Sequence, residues 1–150
     1  MQVKWVVKKF SELTPQELYA IMVVRQEVFV VEQACVYQDA DGWDPKALHL
    51  FCMDEQQHVL GYSRLFLAET KYQEASIGRV VVAKKARKTG LGRALLKEGL
   101  RYLIEEKKQK IFYIQAQHYL ESFYASFGFQ TTSTPYEEDD ILHVDMIKTI

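Results

Sequence analysis

Ile77-Gly78-Arg79-Val80-Val81-Val82-Ala83, followed by Lys84-Lys85-Ala86 and then Arg87-Lys88-Thr89-Gly90-Leu91-Gly92, is the stretch on which the fold of this chain turns. The β-branched residues of the first part make a strand. A basic turn comes next, then two glycines one residue apart, then a helical run beginning at Leu91. Strand, turn and helix in that order aim main-chain N–H groups and a helix N-terminus at one point, where an anion is stabilised. Glycine lets the backbone approach a ligand closely and take positive φ without strain. Lys84, Lys85, Arg87, Lys88 and Arg93 add positive charge around the turn. The stretch reads as a cradle for phosphate or pyrophosphate, with a plain solvated turn as the alternative. It is not a P-loop, because no Gly-Lys-Ser/Thr follows a four-residue gap. Nor is it a dinucleotide fingerprint, because Leu95 stands three residues after Gly92.

The rest of the chain has ordinary globular composition. Its 150 residues suit a single domain, 1–150, that buries well over half of its unfolded surface. A formal net charge of −1 excludes the basic excess of a general nucleic-acid binder, so no nucleic-acid partner is expected. Cys35 and Cys52 are the only cysteines; they give neither a disulfide framework nor a metal-ligand spacing, and no metal is expected. No apolar run approaches the length of a membrane span. Met1 to Phe10 alternates like a strand and lacks the charged head and apolar core of a signal peptide. A cytoplasmic protein without a membrane partner is the expectation.

Val3 to Phe10 reads as the first strand. Thr14-Pro15-Gln16-Glu17 starts a helix to about Phe29, with Thr14 as cap, Pro15 in the first turn and Glu17 closing a capping box. Leu18, Ile21, Met22, Arg25 and Phe29 mark one face, in which Arg25 is the polar intruder. Glu32 to Ala47 is irregular, mixing turn formers and acids with Tyr37 and Trp43. Leu48–Met53, His58–Ala68 and Ser76–Val82 predict an antiparallel meander. Leu91–Lys107 is a helix whose stripe is Leu96, Leu100, Leu103 and Ile104; Gly99 within it suggests close packing on the sheet. A strand over Lys110–Ala116 follows, then a short helix over His118–Phe127 ended by Gly128. Phe129–Ser133 and Ile141–Lys148 supply two last strands, separated by the acidic run Glu137–Asp140. The class is α/β, in the sense of an α+β mixed central sheet flanked by helices.

These residues carry a resemblance. Arg87-x-x-Gly90-x-Gly92 between strand and helix resembles the acyl-CoA-binding motif of the GNAT N-acetyltransferases, and Phe123-Tyr124-Ala125-Ser126-Phe127-Gly128-Phe129 resembles the second motif of that superfamily. Val28-Phe29-Val30-Val31-Glu32-Gln33, Tyr37-Gln38-Asp39, Asp41-Gly42, His49-Leu50, Ile77 to Val82, Ala116-Gln117 and Glu138-Asp139 with His143 are similar to its ElaA-type branch. Val36 and Leu142 stand where that branch commonly has proline, and Asp140 where it has glycine. The implied fold is the acyl-CoA N-acyltransferase (GNAT) fold, in which the fourth and fifth strands splay apart to admit the cofactor.

The resemblance implies transfer of an acetyl group from acetyl-CoA to a primary amine of a small molecule or peptide by direct attack. The backbone of Arg87, Lys88, Thr89, Gly90, Leu91, Gly92 and Arg93 would hold the pyrophosphate. Val80, Val81 and Val82 would pair with the pantetheine arm, the N–H of Val81 or Val82 would stabilise the oxyanion, and Gln117 would touch the cofactor or cap the next helix. Tyr124 would protonate the leaving thiolate; its pattern alone also fits a core aromatic. Glu32, His49 and His143 are the candidates for general base, with Glu138 and Asp139 as further choices. Asp39, Asp41, Asp44 and Glu137 to Asp140 would form an acidic rim that attracts a cationic acceptor. The competing function is a non-catalytic module that senses acyl-CoA. Exposed edge strands leave a homodimer open.

Overall fold

In the computed structural model, which describes residues 3–150, β1 (Val6–Lys9), β2 (Leu48–Met53), β3 (Val59–Phe66) and β4 (Ser76–Val82) form the expected antiparallel meander in sequence order. The part of the N-terminal strand expectation that falls on Met1 and Gln2 lies outside the described residues. A second sheet is built from β5 (Ile111–Gln117), β8 (Ile141–Thr149) and β6 (Gln130–Thr131), with β7 (Tyr136–Glu138) also paired to β8. Its main pairing is antiparallel and sets Gln117 opposite His143.

A single parallel bridge joins the two sheets. Ala75 N donates to Ile111 O at 3.0 Å and Tyr113 N donates to Ala75 O at 2.9 Å, in the Ala75–Phe112 bridge. Beyond it, among the described residues, β4 and β5 share no ladder. The splay expected between the fourth and fifth strands is present, and it leaves one edge of β4 free.

Helices cover both faces of the first sheet. α1 (Pro15–Arg25) opens with the predicted capping box, in which Glu17 N donates to Thr14 Oγ1 at 3.0 Å and Thr14 N donates to Glu17 Oε1 at 2.8 Å. Its Ile21 and Val24 pack with Phe51, Tyr62 and Val81. The helix does not end at Phe29. It widens into a π-helical segment, Gln26–Glu32, whose last bonds run Gln33 N to Val28 O and Cys35 N to Val30 O. α2 (Leu91–Arg101) covers the other face through Leu95, Leu96, Leu100 and, just past its end, Leu103, each contributing about 1.5–3 kcal/mol when taken fully out of water. A Cβ on Gly99 would lie 3.4 Å from Leu50 Cδ2 and 3.5 Å from both Leu65 and Ile77, so this glycine is the close-packing point its position suggests.

A β-bulge redirects β4. Tyr62 pairs with Val81 but Arg64 pairs with Gly78, so both Arg79 and Val80 face Ser63, and Arg79 takes φ +48°. Strand alternation would put Ile77 and Val81 on one face. With the extra residue, Ile77 joins the core under α2 while Val81 joins the core under α1.

The C-terminal third departs from expectation in one place. The acidic run is not a plain separator: Tyr136–Glu138 is a strand, and Asp139 (φ +54°) with Asp140 (φ +60°) makes the two-residue turn of a hairpin into β8. The short helix before it is a 3-10 turn over His118–Leu120 continued by α3 (Glu121–Ala125).

Candidate active site

The splay opens a cleft of about 630 Å³ between the two sheets. Its β4 wall is Ile77 to Val82; its far wall includes Gln117 of β5, Tyr124 of α3 and His143 of β8; Glu32 and Arg87 stand across its mouth.

On the β4 wall, Ala83 N donates to Leu60 O at 2.8 Å, which fixes which residues turn toward β3. Alternation then directs the N–H and C=O of Val81 to β3 and those of Val82 to the free edge. Val82 O confirms the direction by accepting from Arg87 Nε at 3.3 Å. The main chain of Val82, not that of Val81, is therefore available to the cleft. This removes Val81 as an N–H donor there, although it remains part of the wall.

The turn ahead of α2 is held by Thr89, whose Oγ1 donates to Ala86 O at 2.6 Å. Lys88 (φ +63°) and Gly90 (φ +84°) take left-handed conformations that swing the chain into the helix. The first intrahelical bond is Ala94 N to Gly90 O at 3.1 Å, so the N–H groups of Leu91, Gly92 and Arg93 have no acceptor within the helix. The Leu91 side chain is buried against Gly61 and Cys52, which leaves only its main chain for a ligand. The Arg93 guanidinium lies 4.7 Å from the Phe127 ring centroid and donates to Ser126 Oγ at 3.2 Å, tying the turn to the α3 side of the cleft.

On the far wall, Tyr124 is 7 % exposed and packs edge-on to Phe123. Among the described residues its hydroxyl has no hydrogen-bond partner, and burial pushes its pKa up to about 12, so it carries its proton at neutral pH. His143 Nδ1 lies 2.7 Å from Ile141 O, and its ring stacks on Tyr136. A carbonyl only accepts, so Nδ1 carries the proton and the neutral ring keeps its lone pair on Nε2. Gln117 makes no side-chain cap for the helical turn that follows it, which removes the capping alternative.

The other proposed bases are placed differently. His49 lies outside the cleft. It is 1 % exposed, held between Tyr62 Oη at 2.7 Å and Asp44 O at 2.9 Å, and burial lowers its pKa. Its surroundings make it a structural histidine. Glu32 reaches the mouth but is engaged by Arg87 through both carboxylate oxygens, at 2.5 and 2.6 Å, and hydrogen bonding from Arg87 lowers its pKa.

The expected acidic rim is half absent. Arg25, fully buried, donates from Nε to Asp39 at 2.7 Å and from Nη1 to Asp44 at 2.9 Å. Arg64, 2 % exposed, donates to the same Asp44 oxygen at 2.9 Å and to Asp41 at 2.8 and 2.9 Å. Arg79 donates to Asp39 O at 3.0 Å. Burial alone would raise the carboxyl pKa of Asp41 and of Asp44, but hydrogen bonds from the arginines outweigh it and hold both below the ordinary range. Three arginines thus neutralise three aspartates and fasten the irregular loop to the sheet. Reading the sequence missed Arg64 and Arg79 in this frame, and only the misfit of Arg25 on an apolar helix face signalled it. The acids of the β7–β8 hairpin do remain exposed, and Asp139 lines the cleft. There the loop crosses over, with Tyr37 Oη donating to Asp140 at 3.3 Å.

Among the described residues no cluster suited to a metal ion is present, and no helix is long and apolar enough to cross a membrane. Residues 10–150 match the family model of the acetyltransferase (GNAT) domain. The chain is 37% identical over 147 residues to UPF0039 protein sll0451 of Synechocystis, covering 98% of this chain and 96% of that one. It is 34% identical to the protein ElaA of Escherichia coli over 99% of this chain and 97% of that protein. Among solved structures, an acyl-CoA N-acyltransferase from Pseudomonas aeruginosa superposes with TM-score 0.91 at 36% identity, covering 97% of this chain and 99% of the other. Escherichia coli ElaA superposes with TM-score 0.90 at 34% identity, covering 98% and 99%. With this fold, this cleft and full-length likeness to ElaA, the chain belongs to the GNAT family of acetyltransferases.

Proposed function

We propose that this chain is an acetyl-CoA-dependent N-acetyltransferase that acts as one domain in the cytoplasm and modifies a primary amine of a small molecule or peptide by direct attack. The observation that carries this reading is the free edge of β4 beside the unpaired N–H groups of Leu91, Gly92 and Arg93. That donor set fits an extended polar arm ending in a pyrophosphate, a helix N-terminus and a basic turn being suited to its charge.

Within the cleft, each residue has a distinct task. His143 Nε2 takes a proton from the acceptor, since an alkylammonium, with a pKa of about 10.4, cannot attack until it is neutral. The Val82 N–H donates to the thioester oxygen as negative charge develops there. The new N–C bond forms as the C–S bond breaks; Tyr124, protonated in its buried position, gives its proton to the sulfur, and the second proton that the attacking nitrogen sheds restores the Tyr124 phenol. Asp139 adds negative charge on the acceptor side.

The test is thermal unfolding with acetyl-CoA, ATP or NAD. Acetyl-CoA at 100 times its dissociation constant adds about 2.7 kcal/mol, a rise of about 5–10 °C at this chain length. A shift with ATP alone would refute the acyl-CoA reading. Release of free CoA thiol with a panel of amines then separates an enzyme from a sensing module, which would show the shift but no release.

A further inference from the structure

Across the mouth of the cleft, Glu32 and Arg87 join elements 55 residues apart. The carboxylate closes the planar fork of the guanidinium with two bonds, and Arg87 Nε is taken by Val82 O. The Nε and the Nη1/Nη2 fork of the cation at the head of the turn, three of its five N–H donors, are thus engaged by groups of its own chain. The pair is unlike the ion pairs that pin the irregular loop. Arg25 and Arg64 there are buried, whereas the Glu32 and Arg87 side chains are 41% and 36% exposed. An exposed pair contributes at most about 1 kcal/mol to stability, and this one lies where both partners line the cleft. The fork that matches a carboxylate matches a phosphate equally well.

Resting on the acyl-CoA reading above, we propose that Glu32 is a donor-discriminating residue: its carboxylate occupies Arg87 until the pyrophosphate of an acyl-CoA displaces it. A pantetheine thioester without that pyrophosphate leaves the pair closed and gains nothing from Arg87. Glu32 thus tempers the affinity for the full donor, because part of the interaction with Arg87 is spent in releasing it.

Calorimetric binding of CoA and of acetyl-pantetheine to wild type, Glu32→Gln, Arg87→Gln and the double variant tests this, with melting curves to show that each variant is folded. Glu32→Gln is expected to bind CoA about three- to fivefold more tightly, the scale of one exposed ion pair, and acetyl-pantetheine as wild type does. Arg87→Gln is expected to bind CoA more weakly, and adding Glu32→Gln to it should change nothing. Unchanged or weaker CoA binding by Glu32→Gln would overturn the proposal. So would an equal gain with acetyl-pantetheine, or a gain that persists without Arg87. Lost turnover with unchanged CoA affinity would assign Glu32 to proton transfer instead. Failure of the wild type to bind CoA would refute the acyl-CoA reading itself, an outcome distinct from the others.

Discussion

Asp44→Asn tests the frame that holds the irregular loop against the sheet. One oxygen of Asp44 accepts from both Arg25 and Arg64 at 2.9 Å, and both arginines are almost wholly out of water. Removing that charge leaves three arginines facing two aspartates. Breaking a buried ion pair costs about 3–5 kcal/mol when nothing replaces the lost partner. Here Asp39 still serves Arg25 and Asp41 still serves Arg64, so the lower end, about 3 kcal/mol, is expected. That corresponds to about 6–12 °C in melting temperature at this length. Urea unfolding should show a lower midpoint with an unchanged slope.

The pH dependence supplies a second readout. The carboxyl pKa of Asp44 is depressed in the folded state, so its contribution is complete above the unfolded value of about 3.9 and is lost as pH falls through the folded one. The stability gap between wild type and Asp44→Asn should therefore narrow below about pH 4. A loss under about 1 kcal/mol at pH 7, or a gap that stays constant into acid, would refute the idea that Asp44 neutralises the two arginines.

Gly90→Glu should abolish acetyl-CoA binding, since it forces a β-carbon into φ +84° and adds negative charge ahead of the free N–H groups of α2; unchanged affinity in a folded variant would remove the cradle assignment. Asp139→Gly should raise stability by about 0.5–1 kcal/mol by relieving a left-handed conformation in the β7–β8 turn while leaving the Tyr37–Asp140 bond in place, measured by urea unfolding. Tyr124→Phe should lower kcat by about 10²-fold with acetyl-CoA affinity unchanged, and full turnover would make the residue a packing aromatic.

What was legible in the sequence was local. The Thr14–Glu17 capping box spans four residues and announces itself in their identities. The meander follows from β-branched runs of strand length, and Gly99 marks a close approach because nothing else justifies a glycine inside that helix. What failed was nonlocal. Asp39, Asp41 and Asp44 read as solvent-facing acids because their arginines lie 14 to 40 residues away. β7 escaped because a Tyr-Glu-Glu segment reads as a turn until β8 is there to pair with it. The π-helical extension to Glu32 has no compositional mark, since an extra residue per turn changes the bonding and not the residue types. His49 and His143 both sit on strands beside matching residues, and only the topology decides that one faces the core and the other the cleft.

A free strand edge is ordinarily a liability, because it invites pairing with another chain. Here β4 and β5 lie close enough to pair, yet the ladder stops after one bridge at Ala75. Two features keep it from continuing. The bulge at Arg79 breaks the alternation of β4 just beyond the bridge, so its bonding groups fall out of step with a straight neighbour. From the bulge, Arg79 also reaches Asp39, while the same loop touches the β7–β8 hairpin of the second sheet through Tyr37 and Asp140. The loop pinned by Arg25 and Arg64 therefore spans the gap and links the two sheets on the side away from Ala75. On this account the arginine–aspartate frame does more than stabilise: it fixes the separation between the main chain of Val82 and the Nε2 of His143. Loosening it should disturb turnover before it disturbs donor binding, because the unpaired N–H groups of α2 belong wholly to the first sheet's side of the cleft.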